Sequence, residues 1–113
     1  MTLKIQITAE NGITLVTCVG RIVFGDEASS LRAELKKVLA KSKKVVLNLS
    51  DVSYIDSGGL GMLVGVYSSA RAAGADIKLS GVGERVRDVL QITKLVTVFE
   101  AYDTEQKAMA AFH

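Results

Sequence analysis

Two kinds of apolar spacing alternate along this chain, and that alternation most constrains its fold. Leu3, Ile5 and Ile7 are interleaved with Lys4, Gln6 and Thr8, the period of a half-buried strand. Asn11-Gly12 follows, a dipeptide whose two positions tolerate the positive φ of a tight hairpin. The β-branched run Ile13 to Val19 then predicts the return strand. Beyond a connection bracketed by Gly20-Arg21 and Gly25-Asp26, the spacing turns helical. Ala28, Leu31, Leu35, Val38 and Leu39 share one face, with Arg32, Glu34, Lys36 and Lys37 opposite. Asp26 is the expected cap of that helix. Lys41, Lys43 and Lys44 lie at its far end, where cations complement the helix dipole.

The second half repeats the alternation. Val45, Val46, Leu47 and Leu49 form an almost unbroken apolar run, which suggests a central strand covered on both faces. A helix is expected from near Ser57 to about Ala73, with Gly74 as its C-terminal stop. Ile77 and Leu79 mark a short strand, and Val86, Val89 and Leu90 a third helix. Val96, Val98 and Phe99 suggest a last strand. Asp103 with Gln106 has the spacing of a capping box for a final helix carrying Ala108, Met109 and Phe112. The order β-β-α-β-α-β-α-β-α predicts an α/β fold with a mixed, mostly parallel sheet and about four helices. With 113 residues, a folded surface near roughly 6,000 Å² is expected, enough for one domain spanning residues 1–113.

Several function classes are disfavoured by composition. A net charge of +2 supplies no strong field for nucleic acid or anionic lipid. The basic run Lys36 to Lys44 has no interleaved aromatic residue and reads as a solvated helix end, so no direct nucleic-acid partner is expected. Cys18 is the single cysteine and sits in an apolar run, so neither an internal disulfide nor a cysteine metal cluster can form. Gly58 to Ala70 is too short and too broken by Gly and Ser to span a bilayer, and no signal peptide is evident. A cytoplasmic protein without a membrane partner is the expectation. Enzymatic activity is not expected either. A hydrolase elbow needs Gly-x-Ser-x-Gly, but Ile55 stands where the first glycine should be, and the only histidine is His113. Gly81-Val82-Gly83 lacks the third glycine of a dinucleotide loop, because Val86 occupies that place, and no cofactor is expected.

One segment departs from what stability alone would select. Gly58, Gly59, Gly61 and Gly65 fall in or near the first turns of an expected helix. Each costs roughly 1 kcal/mol against alanine in a helix interior. They leave the first-turn backbone uncovered and let another surface approach Ser57 at the positive end of the helix dipole. A structural reading stands beside this: the glycines allow tight packing on the sheet, with Asp56 or Ser57 as the N-cap. The two readings are compatible. Phosphate added at Ser57 would bring about −1.5 to −2 charge units next to Asp56, with Asp51 near in sequence.

The run from Val46 to Leu63, through Asp51, Asp56-Ser57-Gly58-Gly59-Leu60-Gly61, resembles the signature of STAS domains, most closely the bacterial anti-sigma factor antagonists. The resemblance extends to Gly20-Arg21 with Gly25-Asp26, to Leu79-Ser80-Gly81-Val82, and to the run from Val89 to Leu95. Many members carry a proline near Gly83 and Glu84, a departure that bears on helix capping only. The resemblance implies that Ser57 is phosphorylated by a partner serine kinase that doubles as an anti-sigma factor. Gly58 replaces a second hydroxyl that members often carry beside it. Asp56 would position the hydroxyl or contact the kinase. Gly25, Asp51, Asp56, Ser57, Gly58, Gly59, Leu60 and Gly61 would form the partner-binding surface. The unphosphorylated form would bind the anti-sigma factor and free the sigma factor, the phosphorylated form would release it, and a phosphatase would reset the switch. The alternative within the family is a STAS subunit that is never phosphorylated, serving a lipid-transport complex or sensing a ligand.

Overall fold

The computed structural model describes residues 3–94 and 98–112. The chain opens with β1 (Lys4–Glu10) and β2 (Ile13–Ile22), antiparallel and joined at Asn11 and Gly12, with φ of 55° and 77°. These are the left-handed values of a two-residue hairpin turn, as the Asn-Gly pair predicts. Then follow α1 (Asp26–Leu39), β3 (Lys44–Ile55), α2 (Ser57–Ala72), β4 (Asp76–Ser80), α3 (Glu84–Ile92), β5 (Ala101–Tyr102) and α4 (Glu105–Ala110). Among the described residues five strands lie in chain order, β1-β2-β3-β4-β5, and every pairing after the hairpin is parallel.

The apolar run in β3 is explained by its two covered faces. Val45, Leu47 and Leu49 join Val16, Cys18, Ile77 and Leu79 beneath Leu31 and Leu35 of α1, Leu60 and Leu63 of α2, and Val86 and Leu90 of α3. Val46 points the other way, with Ile13 and Leu15, onto Ala108 of α4 and the partly buried Tyr102, Met109 and Phe112. Alternate residues of one strand thus feed two cores.

Lys78 is buried on the α4 side. Its ammonium donates to Glu100 at 2.7 Å and to Asp76 at 3.2 Å, and lies 4.9 Å from the centre of the Phe112 ring. Burial pulls its pKa down, but the hydrogen bonds it donates to Glu100 and Asp76, with their charges, outweigh it and leave the value raised. The Lys78 and Tyr102 hydrogen bonds hold the Glu100 carboxyl below its ordinary value.

Four local expectations are corrected. The N-cap of α1 is Gly25, with φ 111° and no side-chain cap; Asp26 is the first helical residue, where it meets the dipole instead. Thr104, not Asp103, caps α4 by accepting the Lys107 N–H at 3.1 Å. The last strand is Ala101–Tyr102; Val98 and Phe99 precede it, and Phe99 is buried edge-on to Tyr67 at 5.0 Å between ring centres. Val96, assigned to that strand, and His113 lie outside the described residues. Finally, β3 runs on through Ser50 to Ile55, because β2 continues beside it as far as Ile22.

Candidate functional site at the start of helix α2

Asp56 is the first fixed point of the site. Extended backbone at Asp56 ends β3, and its carboxylate accepts the Gly59 N–H at 2.7 Å as the N-cap of α2. The same carboxylate accepts the Phe24 N–H from the β2–α1 loop, at 3.1 Å to each oxygen. The Asp56 N–H donates to the Ile22 carbonyl at 3.3 Å. The end of β3 and the β2–α1 loop are therefore locked together by one residue. Asp56 thus acts on backbone groups of two elements.

The glycines divide into two pairs with different purposes. A Cβ on Gly59 would collide with the Ile22 carbonyl oxygen, so glycine there permits α2 to start hard against β2. A Cβ on Gly58 would lie 2.6 Å from the Phe24 Cβ. Gly61 and Gly65 face open space and meet nothing within 4 Å. No packing demand explains these two. They form part of the floor of a groove of about 760 Å³ between α1 and α2. Phe24, Gly25 and Gly58 close one end, Met62 and Leu39 add apolar surface, and Arg32 and Lys36 of α1 give a basic margin.

Ser57 is exposed, at the first helical position of α2 and next in sequence to Gly58 of the groove. Around it the structure gathers Gly25, Asp56, Gly58 and Gly61. It does not gather all the expected residues. Gly59 and Leu60 are turned inward, Leu60 at 2% exposure in the core, so their contribution is to seat the helix rather than to present a surface. Asp51 is exposed but sits back along β3 opposite Val19, about 13 Å of strand from Ile55. Sequence reasoning missed Phe24, which is 80% exposed at the end of the groove that it helps close. A lone aromatic inside a glycine-bracketed loop was the available signal.

The site is thus an exposed hydroxyl at an uncovered helix start with a largely apolar cleft beside it, on a small α/β module. No group of three or more His, Cys, Asp or Glu side chains able to hold a metal occurs among the described residues. No helix of the described residues is long and apolar enough to cross a membrane. Comparison gives the class its name: residues 4–108 match the STAS domain model, and the chain belongs to the STAS domain family. BtrV of Bordetella bronchiseptica is 30% identical over 99 residues, covering 87% of this chain and 85% of that protein. The anti-sigma-B factor antagonist of Bacillus subtilis is 33% identical over 73 residues, 65% of this chain and 67% of the relative. The Bacillus cell fate determinant SpoIIAA, solved in its phosphorylated form, superposes with a TM-score of 0.74 at 18% identity, covering 97% of this chain and all of that one, a likeness that shows the fold.

Proposed function

We propose that this chain is an anti-sigma factor antagonist that works by partner switching in the cytoplasm, as a binding protein and not an enzyme. In its unphosphorylated form it docks on an anti-sigma factor serine kinase and releases the sigma factor. Phosphorylation of Ser57 ends the docking, and a phosphatase restores it. The reading is supported by relatives that bear the antagonist name. The observation that carries it is the exposed Ser57 at the start of α2, beside a cleft that Gly61 and Gly65 leave bare.

The physical logic is electrostatic. A phosphate on Ser57 adds about −1.5 to −2 charge units. The positive end of α2 stabilises that charge on the antagonist itself. A partner surface shaped against an uncharged hydroxyl must then desolvate a dianion, and the adjacent Asp56 carboxylate adds like charge. The fold survives while docking fails.

The test is incubation with the cognate kinase and ATP, followed by mass spectrometry to locate the added phosphoryl group, with binding measured for Ser57→Ala and Ser57→Asp. Phosphate on Ser57, and affinity lost in Ser57→Asp but kept in Ser57→Ala, are expected. Equal binding by the two variants overturns the charge mechanism. A chain that takes no phosphate would instead be the unphosphorylated binding subunit.

A further inference from the structure

We infer that β1 is a self-complementary sheet edge through which two copies of this chain join into one continuous sheet. The strand is the first in the sheet order and, among the described residues, pairs on one side only, with β2. The Glu10↔Ile13 pair closes a two-residue hairpin, which makes it a pair that exchanges both backbone hydrogen bonds. Alternation then sends the N–H and C=O groups of Lys4, Gln6, Thr8 and Glu10 toward β2, and those of Ile5, Ile7 and Ala9 outward.

The occupant is fixed by the sequence of the strand itself. An antiparallel two-fold pairing centred on Ile7 sets Ile7 opposite Ile7, Ile5 opposite Ala9, Gln6 opposite Thr8, and Lys4 opposite Glu10. The outward groups of Ile5, Ile7 and Ala9 meet in register and supply about six backbone hydrogen bonds. Both Lys4–Glu10 pairs fall at positions not joined by backbone bonds, where facing side chains come closest. Apolar side chains meet on one face and polar ones on the other. Ile7 is 43% exposed in the single chain and is covered at the two-fold axis. Common protections of an edge are missing: β1 has no proline and no bulge, and its one lysine stands at the end where this pairing gives it a carboxylate. The surface lies on a different element from the α1–α2 groove, so the inference is independent of the switch at Ser57.

The test is sedimentation equilibrium of the full chain over a wide concentration range. The wild type is expected to associate reversibly to a dimer. Lys4→Glu and Glu10→Lys, each placing like charges opposite one another twice, should weaken association by about tenfold or more. Both residues are exposed, so circular dichroism should show both variants folded. The double variant should recover wild-type association. An equimolar mixture of the two single variants should form a heterodimer that associates more tightly than either variant does with itself. A chain that stays monomeric throughout, or single variants that associate as the wild type does, overturns the inference.

Discussion

Asp56 and Phe24, thirty-two positions apart, are joined by a carboxylate that receives one backbone N–H on both oxygens. The bond fixes the β2–α1 loop against the start of α2 while the same carboxylate caps that helix. Replacing Asp56 with alanine removes the cap and frees the loop. We expect Asp56→Ala to lower unfolding stability by about 2 kcal/mol, at the upper end of cap losses. Urea denaturation measures it. Asp56→Asn, which keeps an accepting oxygen, should lose less.

The glycine pairs give opposite outcomes for one substitution. Gly59→Ala forces a methyl into the Ile22 carbonyl and should destabilise the fold by more than 1 kcal/mol, as overpacking does. Gly61→Ala and Gly65→Ala meet no obstacle and should raise stability, each by up to about 1 kcal/mol. Thermal melts give both signs. If the cleft is the docking surface, the two stabilising variants should also bind the partner less well.

The Lys78 cluster carries a pH dependence. Glu100 has its pKa held down in the fold, so it stabilises the protein above its ordinary titration range, and that contribution is lost as pH falls through the folded value. Lys78, with its pKa raised, contributes below its ordinary pKa, and that contribution is lost as pH rises through the folded value. Lys78→Ala should cost about 2–3 kcal/mol at neutral pH. It should also flatten the acid limb of the stability curve, because Glu100 loses its main donor. Denaturation across a pH series reads both effects.

Cys18 is fully buried, and burial pushes its thiol up to about 12. Reaction with a thiol reagent near neutral pH should therefore wait for opening of the sheet. The labelling rate of native protein is expected to be far below that of the urea-unfolded chain. Prompt native labelling would contradict the core placement.

Much of this molecule was legible in its sequence where the signal is periodic or local. The Asn11-Gly12 turn, the two-faced run at Val45 to Leu47 and the start of α2 beside Asp56 all follow from spacing and side-chain chemistry. What escaped was set at a finer scale or a longer range. Thr104 rather than Asp103 caps α4, a choice of one residue that depends on where the backbone enters the helix. Ala101–Tyr102 is too short to show any period. The second bond of Asp56 reaches a backbone group in a distant loop, and nothing near either residue announces it. Gly59 and Gly61 are indistinguishable by type, yet one abuts a carbonyl and the other faces solvent.

The length of β3 has a consequence for how this protein yields to stress. Among the described residues, Val45–Asn48 are flanked by strands on both sides; from Leu49 to Ile55 the strand neighbour of β3 is β2, along a seam with shifts near Cys18 and Gly20. The serine end of the molecule is thus a cantilever fixed at a well-braced root. Heating should loosen the tip first, so the Ser57 end opens at a lower temperature than the body of the fold.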